Sequence, residues 1–159
     1  MTAALFTLTF LVAAPFWAVM ILLPGWQLTA RVASSPLIVL PPLLIYLIIL
    51  APIFPQVWTA VTTMNLAGLQ EILGTPAGAA AAWAHFIAFD LFVGRWIYLD
   101  SRARTISPWL MGPVLLFTTL MAPLGLLGYL GLRAVPGLSN GAPSTTSVDA
   151  AAATHPVAD

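Results

Sequence analysis

Apolar residues fall in four long stretches, at roughly 3–23, 37–57, 77–99 and 108–132, separated by shorter polar connections. Each is close to the ~20 residues that an α-helix needs to cross a ~30 Å hydrocarbon core. The pattern predicts an all-α integral membrane protein, a bundle of four transmembrane helices. The first stretch contains Pro15 and stops at Pro24-Gly25, a turn signal. The second holds Pro41, Pro42 and Pro52, with Pro55 at its end, so kinks are expected there. Thr75-Pro76 opens the third as N-cap and first helical residue, and Ser107-Pro108 repeats that opening for the fourth. The fourth contains Pro113 and Pro123, and Gly125, Gly128 and Gly131 near its end suit close helix contacts.

The longest internal connection, 58–76, contains NLAGLQEIL (Asn65–Leu73), whose spacing predicts a short amphipathic helix at the membrane interface. Trp58 fits an interfacial anchor. Residues 1–133 make up the membrane domain. Beyond Arg133 the composition turns to Ala, Ser, Thr, Pro and Gly, and 134–159 reads as a disordered tail that carries His155.

Composition sharpens this picture. Of 159 residues, 60% are hydrophobic and only 6% charged, with no lysine, whereas a soluble domain is about a quarter charged. Five dispersed arginines and zero net charge give no basic patch, which excludes nucleic-acid binding. The absence of cysteine excludes disulfides, thiolate metal sites and cysteine nucleophiles. One span histidine and scattered acids are too few for a transition-metal site, and no nucleophile elbow, HExxH or phosphate loop is present. The first stretch lacks a basic leader and is longer than a typical signal core, so it is read as a retained span. Four crossings would place both termini on one side with Arg133, and Arg31, Arg102 and Arg104 on the other. The positive-inside bias then puts loops 24–36 and 100–107 in the cytoplasm and both termini outside.

Charge is concentrated in the third stretch, WAHFIAFDLFVGRWIYLDSR (83–102). It carries His85, Asp90 and Arg95 at membrane depth, where Asp or Arg costs about 2.5 kcal/mol or more near the helix centre. At ~1.5 Å per residue, Asp90 lies ~3 Å from the middle of the span and His85 ~4–5 Å to the other side. The two differ by about 140° around the helix axis, so each needs a partner on another element. Asp90 shares a face with Trp83, Gly94 and Ile97, with Phe86 nearby, while His85, Phe92 and Trp96 form a second, aromatic face. The functional reading is a buried acid and a buried imidazole facing an apolar cavity, lined by Trp83, Phe86, Gly94 and Trp96. The alternative is that Asp90 and His85 are hydrogen-bonded packing groups. Arg95 either meets a ligand oxygen or a carboxylate, or snorkels to the interface. Asp100 and Arg104 are spaced as an i,i+4 ion pair, with Arg102 part of the same interfacial clamp. Glu71 either caps the third helix or lines a cavity mouth.

The run AWAHFIAFDLFVGRWIYLDS (Ala82–Ser101), preceded by LGTPAGAAAAW (Leu73–Trp83), resembles the abscisic-acid-deficiency protein family. In plants these are chloroplast membrane proteins needed to make neoxanthin from violaxanthin. The resemblance implies a membrane protein acting on a carotenoid or related isoprenoid, by opening a 5,6-epoxide and forming an allene. Such an isomerisation needs an acid for the epoxide oxygen and a base for a vinylic proton. Asp90 and His85 are the residues able to take those roles, with Arg95 stabilising the developing alkoxide. No cofactor is implied. Partners expected are membrane lipid and the isoprenoid, with a second copy of the chain or a pathway enzyme as the protein partner. A chain without a transit peptide points to a bacterial inner membrane. A non-catalytic lipid- or pigment-binding protein and a small proton path remain the competing readings.

Overall fold

The computed structural model describes residues 1–63 and 65–135, and every regular element among them is helical. Most of the sequence-predicted tail, with His155, lies outside the described residues.

Helix α1 (Thr2–Leu22) runs unbroken through Pro15. The turn at Pro24-Gly25 is tied down by the Thr29 hydroxyl, which donates to Leu23 O at 2.8 Å, and by Tyr98, whose hydroxyl donates to Pro24 O at 2.9 Å. Loop 24–36 is not a plain connection. It folds as α2 (Gln27–Ser34), a short amphipathic helix of polar mean composition that the pattern of long apolar stretches does not mark. The second apolar run extends from Pro36 to Thr63 as one rod, well past the expected end at residue 57. It comprises α3 (Leu40–Leu50) and α4 (Phe54–Thr63), with 3₁₀ turns at Pro36–Val39 and Ala51–Ile53. Both 3₁₀ turns carry proline in their first positions, where its missing N–H tightens the helix rather than ending it.

The predicted short helix forms as α5 (Leu66–Leu73), with the Asn65 side chain accepting from Gly68 N. The predicted third-span opening forms too. Thr75 accepts from Gly78 N at 3.0 Å and Pro76 starts α6 (Pro76–Ala103), an uninterrupted helix of 28 residues.

Helix α6 is the axis of the molecule. Phe6 of α1 stacks on Trp83, and Trp17 of α1 packs against Gly94, so α1 and α6 run in the same direction. A Cβ at position 94 would collide with the Trp17 ring, so glycine is what lets the indole lie on the α6 backbone. Helix α3 runs the other way. Ile38 joins the core around Ile97 and Tyr98, while Ile45 and Ile49 pack on Ala80, Ala81 and Ala84 near the start of α6.

The fourth apolar stretch does not form a single crossing helix. It folds as α7 (Pro108–Leu120) and α8 (Ala122–Arg133), broken at Met121, which is extended at φ −150°, ψ 76°. Pro123 in the first turn of α8 has no N–H to offer the preceding turn, which favours a break here, although α1 and α7 carry Pro15 and Pro113 within them. Met121 O instead accepts from Leu124 N and Gly125 N, which restarts the helix in a new direction. That direction is backward. Gly125 packs against Thr118, and Tyr129 and Arg133 reach Asp100 near the end of α6, beside the start of α7. The unit is a helical hairpin, so of the four transmembrane helices expected, three form as long apolar helices and the fourth stretch forms this hairpin. Residues near 1 and 135 therefore lie at opposite ends of the bundle, not at the same end.

Large apolar side chains are exposed all round the bundle, among them Leu11, Leu44, Ile48, Leu116 and Leu127. Water does not tolerate an apolar surface this extensive on a monomer. It is the surface of a protein solvated by lipid.

The hairpin depends on the Gly125–Thr118 contact. Gly125→Ala adds a Cβ that would overlap the Thr118 backbone, whereas Gly128→Ala points into open space. We expect Gly125→Ala to lower stability in detergent by about 1–3 kcal/mol, despite alanine's better helix propensity. Gly128→Ala should be neutral or slightly stabilising. Thermal melts of the two variants check this.

Candidate functional site

The sequence-predicted residues all lie on α6, but they face different neighbours. Trp83 is half-buried against Phe6, with ring centroids 5.2 Å apart, and its Nε1 is buried without a hydrogen-bond partner. Gly94, on the same face, is covered by Trp17. Asp90 lies between them along α6, half-buried. The ion pairs among the described residues are made by Asp100, and none involves Asp90.

His85 is placed elsewhere. It is exposed, not buried, and sits in an aromatic cluster on the outer surface. Phe89 stacks on it at 4.6 Å, and Tyr46 of α3 and Phe86 approach it edge-on at 5.7 and 6.1 Å. Phe86, Phe89 and Phe92 are 57%, 56% and 48% exposed, so α6 presents a continuous aromatic strip outward, with Asp90 along one edge and His85 along the other. The enclosed apolar cavity expected around both residues is replaced by this open face.

Arg95 turns toward α2. Its Nη2 donates to Ser34 O at 2.8 Å, satisfying a carbonyl at the end of that helix, while Nε is buried without a partner. By the ~100° step per residue it points about 140° away from Asp90. Trp96 turns toward α8, edge-on to Tyr129 at 5.6 Å and under the Arg133 guanidinium at 5.7 Å.

The densest polar cluster is at the end of α6. Asp100 Oδ2 accepts from Arg104 Nε at 2.9 Å and from the Tyr129 hydroxyl, and pairs with Arg133 Nε at 3.5 Å. The i,i+4 pair was legible in the sequence. Tyr129 and Arg133 were not, because only the reversal of α8 brings them there. All five arginines gather at this end: Arg31 in α2, Arg95, Arg102 and Arg104 toward the end of α6, and Arg133. At the opposite end α4, α5 and the starts of α1 and α6 enclose a cleft of about 670 Å³. Glu71 lines that cleft, and it is Thr75 that caps α6.

A family model described as ABA DEFICIENT 4-like matches residues 4–129, which is most of the chain and nearly all of the helical bundle. The chain belongs to the ABA DEFICIENT 4-like family. Protein ABA DEFICIENT 4, chloroplastic, of Arabidopsis thaliana is 27% identical over 105 residues, covering 58% of this chain and 45% of that protein. The chain thus spans under half the length of this curated relative. No solved structure matches it. In this ABA DEFICIENT 4-like chain the matched region contains Trp83, Asp90, Arg95, Asp100 and Tyr129, and stops just short of Arg133.

The Asp100–Tyr129 contact is a hydrogen bond to a carboxylate, so Tyr129→Phe is expected to cost about 1.5–3 kcal/mol. In the Asp100→Asn background the same substitution should cost clearly less. A double-mutant cycle read by thermal melting measures the difference, and purely additive effects would contradict the contact.

Proposed function

We propose that this chain is an integral membrane protein that acts on a carotenoid or related isoprenoid lying against the outward aromatic strip of α6, with Asp90 as the proton donor. The observation that carries the reading is Asp90, a half-buried carboxyl at the edge of that strip with no ion-pair partner among the described residues. An acid at membrane depth is rarely left unsatisfied without reason, and a ligand oxygen beside it would satisfy it. Phe86 and Phe89 supply the flat apolar contact that a polyene needs.

The proposed chemistry joins these residues to the epoxide-to-allene conversion that the family resemblance implies. Asp90 gives its proton to the epoxide oxygen as the C–O bond breaks, and a base removes a vinylic proton whose electron pair forms the allene. One proton enters and one leaves, so the sum is an isomerisation with no oxidant consumed. His85, on the far edge of the strip, is the base available to this face. Arg95 positions α2 through Ser34. A second reading, a holder of pigment or lipid without turnover, is favoured by the ~140° that separates His85 from Asp90.

We further propose the topology. Three helices, α1, α3–α4 and α6, cross the bilayer, and α7–α8 enters and returns from the arginine end. All five arginines then lie on or toward one side, which the positive-inside bias makes cytoplasmic. The amino terminus is outside, and the end of α8 is inside.

Two experiments test these readings. Conversion of an epoxycarotenoid presented in vesicles should fall about 10²-fold or more in Asp90→Asn, with the melting temperature unchanged. Pigment that co-purifies with the protein and is never converted would favour the holder. A fully active, well-folded Asp90→Leu protein would sink the site altogether. For topology, reporters fused at Ser35, Ser101 and Ala134 should all read cytoplasmic, and one at Asn65 should read external. Agreement of Ala134 with Asn65 would overturn the hairpin topology.

A further inference from the structure

The cleft at the end opposite the arginines is not part of the α6 site. Its volume, about 670 Å³, is within the roughly 300–1,000 Å³ typical of small-molecule sites. Its floor is apolar, with Ile53, Ala60 and Ile72, and its rim carries Gln56, Thr59, Thr63 and Glu71. The two threonine hydroxyls already donate to backbone carbonyls, Thr59 to Pro55 O at 3.0 Å and Thr63 to Thr59 O at 2.8 Å. What they offer a ligand is therefore acceptor capacity, part of which on Thr63 is already taken by Asn65 Nδ2 at 2.9 Å. Glu71 is an acceptor as well, and the Gln56 amide adds both a donor and an acceptor. A rim that mixes acceptors and donors suits hydroxyl groups, which both donate and accept.

Charge narrows the choice further. No arginine lies at this end and the chain has no lysine, so the charges here are Glu71 and the exposed amino terminus of Met1 beside Thr2, and an anionic head would meet one carboxylate and at most one solvent-screened cation. An ammonium ligand would have one exposed carboxylate and otherwise neutral oxygens, a weak site. The cleft lies at the end of three long apolar helices, where an amphiphile can place its head in the rim and its tail among the exposed leucines of α5, Leu66, Leu69 and Leu73.

We infer that this cleft binds the neutral, hydroxylated head of an amphiphile whose apolar tail lies in the membrane. The inference rests on the membrane placement proposed above and not on the chemistry of Asp90. Two sources carry that head chemistry, a glycolipid and a hydroxylated isoprenoid.

The full chain in phosphatidylcholine nanodiscs would be equilibrated with four probes and the retained probe measured by mass spectrometry. The probes are monogalactosyl diacylglycerol; zeaxanthin, a polyene with a hydroxyl on each end ring; β-carotene, the same skeleton without hydroxyls; and phosphatidylglycerol. At least one hydroxylated probe should be retained about tenfold more than β-carotene and phosphatidylglycerol, and which of the two it is identifies the source. Thr63→Trp, a rim substitution at an exposed position, should abolish that preference by filling the mouth, while Asp90→Asn should leave it intact. Equal retention of β-carotene, stronger retention of phosphatidylglycerol, displacement by dodecylamine at lower concentration than by the hydroxylated probe, or retention unaffected by Thr63→Trp would each overturn the inference. Loss of binding in Asp90→Asn alone would move the ligand to α6. An inactive Asp90→Asn protein that still binds through the cleft keeps the two proposals separate.

Discussion

The carboxylate of Asp100 organises one end of this molecule. It accepts hydrogen bonds from Arg104 of its own helix and Tyr129 of α8, and Arg133 of α8 completes the cluster as an ion pair to the same oxygen. In a chain with so few charges, that convergence gives α8 a polar reason to turn back instead of continuing. The apolar part of the hairpin then packs on α6 and α1 through Met111, Leu115 and Tyr129, all buried. Electrostatics selects the direction of the return, and burial of these side chains supplies most of the stabilisation.

The reversal has a consequence for α6. A hairpin arm of 13 residues reaches about 20 Å, while α6, with 28 residues, is about 42 Å long. The hairpin therefore covers the arginine-bearing half of α6 and leaves the other half uncovered on that side. Phe86 and Phe89 are exposed there, and Asp90 sits at the margin. A continuous fourth helix would have run past these residues and closed the face. The open aromatic face of α6 is a product of the reversal between α7 and α8.

Much of this was legible in the sequence, for identifiable reasons. Thr75-Pro76 and Asn65 announced their helices because capping is local, requiring only a side-chain oxygen and a free N–H a few residues on. The Asp100–Arg104 pair was legible for the same reason. Hydropathy found the apolar stretch at 108–132 but could not tell a crossing from a hairpin, because both are apolar over the same length. The signal that distinguishes them is small. Pro123 stands near the middle of that stretch, with Gly125 two residues on to admit Thr118 closely. His85 was misread as buried, since periodicity places a residue on a face but does not say what covers that face. Arg95 was legible as a deep charge, but its partner is a backbone carbonyl of Ser34, which no side-chain pattern could reveal.

The return of α8 is the claim on which the arginine distribution, the open face of α6 and the position of the chain's end all depend. The chain has no cysteine, so spin labels can be attached at chosen positions without background. Labels at Gly131 and Arg102, both exposed, should lie within about 20 Å of each other, while Gly131 and Leu66 should be separated by about 40 Å, the length of α6. Pulsed electron-electron spin resonance in nanodiscs measures both distances. The reverse result, with Gly131 near Leu66 and far from Arg102, would mean that the chain crosses a fourth time, and would contradict the account.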